Sequence, residues 1–273
     1  MYRNEAFTES LYADLSGVSL DSVFGMTELK KQLKQIAESV VSDELSRALG
    51  ITPSRIILMK SGERNSTLYY ARALCGELAK RSFSTIMLMP QSFLTGSYSD
   101  FETKLTKALN EVIISSPCAV ICSDVNMFCP GNDSASIEER LRAQLFTELL
   151  SELCTSGAKF IFIALTSDAG KVEREFLAML DETIDIPAPD KEARKAYILD
   201  KLKCVNCTAD AAEYFANQSE GDCFAKIDKL CEHAKLAVYK NMLAGANGDV
   251  GKAAQNAAER NAVLTLELVK TAE

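Results

Sequence analysis

The sequence predicts an α/β protein with a doubly wound parallel sheet, followed by a small all-α domain. Short apolar runs alternate with stretches of helical spacing over the first two thirds of the chain. These runs lack the polar alternation of half-exposed strands, which is typical of parallel strands that are covered on both faces. Beyond Pro189 only helical spacing recurs, so the predicted sheet ends before that residue. Right-handed crossovers between its strands would make the sheet doubly wound.

Each predicted element has its own local signal. A threonine followed by apolar residues at helical spacing predicts a first helix at residues 27–41. Short apolar runs predict strands at residues 56–59, 85–89, 118–122 and 159–165. Helical spacing predicts the intervening helices at residues 68–80, 100–114 and 137–153, and later helices at residues 191–203, 210–217, 222–243 and 251–269. We therefore assign residues 1–20 to a lead-in segment, 21–190 to the α/β domain and 191–273 to a helical lid domain with a C-terminal helix.

Composition narrows the classes of function. The chain has 273 residues, of which 47% are hydrophobic and 25% charged, as in ordinary globular proteins. Its net charge of -8 and its pI near 5.0 disfavour nucleic acid, whose phosphates attract basic surfaces. No apolar run has the length of a membrane helix and the N-terminal residues show no signal or transit pattern. We therefore expect a cytoplasmic protein without membrane insertion.

The cysteines are the next candidates for chemistry. The chain has nine of them, mostly inside apolar segments, where a reduced thiol behaves as a small hydrophobic side chain. Cys204 and Cys207 form a CxxC pair, and a metal site there would need Cys223, Cys231 or His233 as further ligands. Because a zinc site normally shows two close pairs of ligands, we predict buried thiols here and no metal site.

Residues 57–74, ILMKSGERNSTLYYARAL, have the frame of a phosphate-binding loop, because a strand, a short polar turn and a helix follow one another. Such a loop uses glycines to turn backbone N–H groups onto the phosphates, and a lysine to reach the terminal oxygens. A Ser or Thr hydroxyl then helps to hold Mg²⁺. This sequence keeps the frame but lacks most of those residues.

The order of the segments resembles the AAA+ ATPase module, in particular the AAA subgroup of protein-remodelling ATPases, over residues 20–240. Residues 20–33, LDSVFGMTELKKQL, are similar to the opening helix signature of that family, with Gly25 at its glycine. Residues 115–128, SSPCAVICSDVNMF, are similar to the strand that ends in the acidic pair of the metal site. The resemblance implies a P-loop NTPase type of fold with ATP and Mg²⁺ as the cofactors of an active member.

Later segments extend the resemblance in the same order. Residues 140–153, RLRAQLFTELLSEL, are similar to the long helix after the metal-site strand. Residues 162–168, FIALTSD, resemble the strand that carries a polar sensor residue. Residues 184–199, IDIPAPDKEARKAYIL, resemble the strand and helix at the domain join. Residues 219–234, SEGDCFAKIDKLCEHA, resemble the start of the second half of the helical lid. The order and spacing of these segments carry the resemblance, since no one of them is decisive.

The phosphate-binding loop departs from the family pattern. The resemblance places the family's lysine at Ser66 and its hydroxyl at Thr67, and Gly62 alone remains of the loop glycines. A register shifted by one residue places the two positions at Thr67 and Leu68, which also leaves no lysine. The alternatives for the loop are a plain strand-to-helix turn that binds nothing and an unconventional nucleotide site.

The charges near the loop also differ from the family pattern. Glu63 would bring a carboxylate toward the polyphosphate, which is unfavourable without a compensating cation. Arg64 or Lys60 could supply such a cation, although neither occupies the place of the family's lysine.

The rest of the reaction centre is altered as well. The metal-coordinating acid of the family falls on Ser123 and the water-activating carboxylate on Asp124, which is one methylene shorter than the expected Glu. The sensor position, expected to be Asn, is Ser167. Arg174 lies a few residues upstream of the place where an arginine would reach a neighbouring site. Asp124 is therefore either a residual catalytic base or a solvated carboxylate at a strand end.

Two further segments could contact protein. Tyr98 falls close to the aromatic residue with which related hexamers grip a polypeptide in a central pore, or it only closes a turn before the next helix. Tyr69 and Tyr70, one turn into the helix after the loop, are expected to pack rather than to hold adenine. The Ala-rich residues from 251 onward would dock on the chain's own lid or on a neighbouring subunit.

These departures predict a pseudo-ATPase that keeps the fold and the assembly surfaces and has lost productive hydrolysis. It would act as a scaffold subunit in protein remodelling, with protein partners: further copies in a homo-oligomer, or an active AAA subunit in a hetero-oligomer. The alternative is a weakly active ATPase that remodels proteins with ATP or ADP and Mg²⁺ bound. In this alternative Arg64 or Lys60 replaces the lysine and Asp124 serves as base.

Overall fold

The computed structural model describes residues 7–8, 10–13, 19–42, 48–50, 55–62, 64–131, 135–257, 262–265 and 267, with side chains omitted at residues 64 and 65. The chain divides into two compact units. The α/β unit comprises Met1–Val23 and Glu28–Pro187, and the helical unit comprises Phe24–Thr27 and Ala188–Glu273.

The α/β unit is built on a five-stranded sheet in which every strand pairs in parallel with its neighbours. Its strands are β1 (Ile56–Lys60), β2 (Ser84–Leu88), β3 (Cys118–Cys122), β4 (Phe160–Thr166) and β5 (Glu182–Asp185). Their order across the sheet is β2-β3-β4-β1-β5. β3 and β4 are buried along their whole length, as their continuous apolar sequences predict.

A helix precedes β1, and further helices follow or connect the strands. They are α1 (Thr27–Val41), α2 (Arg64–Ala79), α3 (Pro90–Phe93), α4 (Tyr98–Ile114), α5 (Val125–Phe128), α6 (Ile137–Thr155) and α7 (Arg174–Ala178). Ser97 and Ser136 cap α4 and α6, each accepting a backbone N–H three residues on. A ladder of phenylalanines fills the core beneath α4 and α6, and the Phe146 ring lies 5.1 Å from Phe128 and 6.1 Å from Phe162.

Several cysteines belong to this core. Cys75, Cys118, Cys122 and Cys129 are buried. Burial raises the pKa of the Cys118 thiol to about 12, so this thiol stays protonated at neutral pH. These four side chains therefore act as small hydrophobic groups, as the sequence predicts.

The helical unit contains α8 (Lys191–Lys201), α9 (Ala209–Gln218), α10 (Phe224–Gly245) and α11 (Val250–Asn256), with no strand in its described residues. Asp190, Thr208 and Asp249 cap α8, α9 and α11 through their side-chain oxygens. The Tyr197 ring packs 4.4 Å from the Phe224 ring, which joins α8 to α10.

The later residues of the helical unit correct one prediction. The helix predicted at residues 251–269 ends at Asn256, and residues 262–265 are not helical. Leu264 is fully buried, and its backbone bonds to Val205 and Thr208 at 3.0 and 3.1 Å. The described part of this segment therefore docks on its own helical unit.

Most other predicted elements are found with shifted ends. The predicted helix at 27–41 and strand at 118–122 match α1 and β3, and the remaining predicted strands shift by one residue at their ends. α2 starts at Arg64, four residues before the predicted start at residue 68. No helix among the described residues has both the length and the apolar character needed to cross a bilayer.

Candidate functional site

The candidate site lies at the carboxyl ends of β1 and β4. These two strands are neighbours in the sheet. From β1 the chain continues to β2 at one edge of the sheet, and from β4 it continues to β5 at the opposite edge. In open parallel sheets, ligands bind in the crevice where neighbouring strands connect in opposite directions. The last residues of the two strands, Lys60 and Thr166, lie opposite each other in register, and Ser61 N–H donates to the Thr166 carbonyl at 3.3 Å.

The connection from β1 to α2 is short. Only residues 61–63 separate Lys60 from Arg64, where the helix begins. In the strand–GxxxxGK[ST]–helix pattern of a P-loop protein, six loop residues precede the lysine and surround the phosphate with backbone N–H groups. Here residues 61–65 precede Ser66 at the lysine position, and residues 64 and 65 already belong to α2. The N–H groups of residues 64–67 therefore lie in the first turn of an ordinary helix.

Gly62 has no conformational need to be glycine in this structure. Its φ lies outside the left-handed region, and a methyl group added at its Cα would have no other heavy atom within 4 Å. A phosphate-binding glycine is needed because a ligand approaches its backbone closely or because its φ is positive. Neither reason is visible in the protein itself.

We therefore expect Gly62→Ala to change the free energy of unfolding by less than about 0.5 kcal/mol, as at an unconstrained surface position. Urea denaturation followed by circular dichroism measures this change. Gly131→Ala is the matched control in the same unit, because its new methyl group would lie 2.4 Å from the Val172 carbonyl oxygen and should destabilise. Equal losses for the two variants would contradict the open surroundings of Gly62.

Ser66 at the family's lysine position and Thr67 at its hydroxyl position are both covered. Ser66 is 5% exposed and Thr67 is fully buried, and both lie within the first turn of α2. A ligand could reach these hydroxyls only if side chains around them moved. Tyr70, one turn further along, is also buried and packs edge-on against Tyr69, as expected of packing residues.

Lys60 forms an ion pair on the side of β1 that faces β5. Its Nζ lies 3.0 Å from Asp185 Oδ1, and Asp185 is its partner at the end of β5. Both side chains are partly or largely exposed, so the pair is weak and adds little to stability. The pair nevertheless places a second carboxylate beside the cation that the sequence offers as a substitute for the missing lysine.

The first residue after β3 is engaged inside the protein. Ser123 is 2% exposed, its N–H donates to the Leu88 carbonyl at 3.0 Å, and its Oγ lies 3.4 Å from that same oxygen. The serine thus extends the pairing of β3 with β2, and its hydroxyl is used inside the protein. Asp124 follows in the left-handed conformation, with φ 49° and ψ 56°, and immediately precedes α5.

Thr166 and Asn126 form a contact that the sequence does not predict. Thr166 Oγ1 lies 3.3 Å from Asn126 Oδ1 and accepts the Asp168 N–H at 3.1 Å. This contact ties the end of β4 to α5, so Thr166 is the buried polar residue at this strand end. Ser167, the predicted sensor position, is exposed and follows the last residue of β4.

The other predicted positions lie outside this contact network. Tyr98 is half-buried as the first residue of α4, where the sequence predicts a loop residue before a helix at 100. Arg174 is exposed as the first residue of α7. Glu63 and the side chain of Arg64 lie outside the described residues.

No three His, Cys, Asp or Glu side chains within the described ranges come together as a possible metal site. Cys204 is exposed, which corrects the prediction of a buried thiol at that position. Cys207 is half-buried, and Cys223 and Cys231 are buried. Burial raises the pKa of Cys231 to about 12, so this thiol is protonated at neutral pH.

A scan of the sequence against models of known protein families finds no match. The five-stranded parallel sheet with helices packed around it is compatible with a P-loop NTPase-like fold. A sheet of this kind hosts many unrelated functions, so the fold by itself does not assign one.

Proposed function

We propose that the chain is a degenerate AAA+ module of the AAA subgroup that acts as an assembly or scaffold subunit and does not hydrolyse ATP productively. The observation that carries this proposal is the three-residue connection between β1 and α2. A connection of this length leaves no ring of backbone N–H groups for a β-phosphate, whatever the side chains are. The segment order shared with AAA+ modules supports the family, and the parallel sheet is consistent with it.

The charges at the crevice support the same proposal. A nucleoside triphosphate is a polyanion, and its binding needs cations or Mg²⁺ held by a carboxylate. Here Lys60 is paired with Asp185, and the metal-coordinating position is the buried Ser123, whose hydroxyl is engaged. Bound phosphates would lie near a cation that is already partly neutralised.

A scaffold role follows from what this module retains. The α/β unit and the helical unit each bury a set of hydrophobic side chains among their described residues, which supports a module that keeps its fold after hydrolysis is lost. In ring-forming families the subunit surfaces determine assembly, and such surfaces remain useful when hydrolysis is lost. The expected protein partners are further copies of this chain or an active AAA subunit.

Thermal unfolding with ATP or ADP, each with and without Mg²⁺, tests the proposal directly. We expect no saturable rise in Tm up to about 1 mM nucleotide, because a ligand that does not bind the native state cannot stabilise it. A site with a Kd of about 10 µM would instead add about 2.7 kcal/mol at that concentration. Such a gain would raise the Tm by several degrees, which is easily measured.

Two variants sharpen this test. Asp185→Asn releases Lys60, so a gain of nucleotide binding in this variant would show that Lys60 can replace the missing lysine. Asp124→Ala removes the one candidate base, and we expect the same background phosphate release from it as from the natural sequence. Mg²⁺-dependent release that falls in Asp124→Ala would support the weakly active ATPase instead. Saturable stabilisation of the natural chain would show that nucleotide still binds and would contradict the loss of the site. The left-handed backbone of Asp124 favours the weakly active ATPase, since such conformations concentrate at functional sites.

A further inference from the structure

The helical unit contains an apolar groove with a volume of about 370 Å³. α10 contributes Val238 and Met242 to its lining, α11 contributes Ala253 and Ala254, and Val205 comes from the turn before α9. We call this cavity the α10–α11 groove. Its volume lies within the range of sites that bind small molecules, about 300–1,000 Å³.

The side chains of α11 leave the space open. Ala253 and Ala254 carry only a methyl group each, so α11 does not fill the volume beside the larger residues of α10. Two large apolar residues that line the groove are also well exposed, namely Tyr239 at 54% and Val250 at 60%. Apolar side chains that line a concave and accessible surface are typical of a binding site.

The size of the groove favours a small molecule over a protein. Twelve residues line the groove. A stable protein interface takes about 20–30 residues from each partner, so a second copy or a partner helix would need a larger surface than this one. A short aliphatic chain needs only the groove itself.

The charge in the groove selects one end of such a molecule. Lys235 is the charged residue among the described residues that line it. Its Nζ donates to Glu232 Oε1 at 2.7 Å, and this hydrogen bond raises the pKa of the ammonium group. An ammonium group has three protons to donate, and Glu232 is largely exposed, so Lys235 can also donate to a ligand. A carboxylate accepts such a charge-assisted hydrogen bond most strongly.

We infer that the α10–α11 groove binds an aliphatic carboxylate of medium chain length. The hydrocarbon chain lies among the apolar side chains of α10 and α11, where it leaves water, and the carboxylate accepts a hydrogen bond from Lys235. All lining residues belong to the helical unit, so this site does not involve the ends of β1 and β4. The inference holds whether or not the chain hydrolyses ATP.

Isothermal titration calorimetry with decanoate and decanol tests the class of ligand. We expect decanoate to bind the natural chain saturably and decanol to bind about fivefold more weakly, because a hydrogen bond to a charged group is roughly twice as strong as a neutral one. Lys235→Gln should remove the difference between the two ligands. Equal affinities of the natural chain for decanoate and decanol would overturn the anionic ligand.

Filling the groove tests its position. Ala254→Phe places a ring in the cavity at an exposed position, so we expect saturable binding of decanoate to be lost. Gln255→Phe is the matched control, because residue 255 is exposed on the same helix and does not line the groove. Ala257→Phe, at another exposed lining position, replaces Ala254→Phe if circular dichroism shows that variant to be unfolded.

Cys204 provides a second readout at the groove. This thiol lines the groove and is the exposed one of the nine cysteines, all of which the structure describes. Decanoate should slow its alkylation by iodoacetamide, followed by mass spectrometry, in the natural chain and in Gln255→Phe and not in Ala254→Phe. No saturable binding to the natural chain, or unchanged binding to folded Ala254→Phe, would overturn the site. A dimer of the natural chain in light scattering that Ala254→Phe abolishes would identify a second copy as the occupant and overturn the carboxylate.

Discussion

Replacing Gly25 by alanine is expected to destabilise the helical unit by roughly 2–5 kcal/mol. Gly25 has φ +60°, a conformation in which an alanine costs about 1–2 kcal/mol. A methyl group at this position would also lie 2.4 Å from the Ala193 Cβ and 3.1 Å from its Cα. Forcing this overlap into a packed region adds about 1–3 kcal/mol, because α8 must move away from residue 25.

The control for Gly25→Ala separates backbone strain from overlap. Gly221 has φ +78° in the same unit, and a methyl group added there would meet no heavy atom within 4 Å. Gly221→Ala should therefore lose only the backbone contribution, which urea denaturation followed by circular dichroism can compare with the first loss. Ala193→Gly, made together with Gly25→Ala, should recover part of the loss in a double-mutant cycle. Equal losses at both glycines would contradict the close approach of Gly25 to α8.

The fold could be predicted largely because buried strands have a strong local signal. CAVIC and KFIFIAL are continuous apolar runs, and the structure makes them β3 and β4. β5 lacks that signal, since Ile184 is its one buried residue, and it was expected only from the resemblance at the domain join. The short helices α3, α5 and α7 hold four or five residues each, too few to show a helical period.

The candidate site was less predictable because its contacts join distant parts of the chain. Lys60 meets Asp185, and Thr166 meets Asn126, only because β1 lies between β4 and β5 and because α5 follows β3 directly. No local pattern in the sequence determines the order of strands in a sheet.

The early start of α2 was missed for another reason. Residues 64–67, RNST, are polar and carry no apolar period, yet two of them are buried.

Replacing Arg194 by alanine is expected to cost about 3–5 kcal/mol of the free energy of unfolding of the helical unit. Arg194 is 6% exposed in α8, and its guanidinium donates only to backbone carbonyls among the hydrogen bonds described. Nε and Nη2 lie 3.1 and 2.9 Å from the Ala216 carbonyl oxygen at the end of α9, and Nη1 lies 2.7 Å from that of Pro189. Alanine would remove all three bonds and leave a cavity where the guanidinium stood.

The geometry of these bonds sets the result expected of Arg194→Lys. A lysine keeps the positive charge, but its single ammonium group cannot match a planar fork that reaches two carbonyls on different segments. We expect this variant to lose about half as much stability as Arg194→Ala. The neighbouring Lys195→Ala is the matched control, because Lys195 is partly exposed and bonds to Glu213, which is also partly exposed, so its loss should be small. Chemical denaturation of the three variants measures their losses in the free energy of unfolding. If Arg194→Ala loses no more than Lys195→Ala, the guanidinium does not hold the end of α9 to the segment before α8.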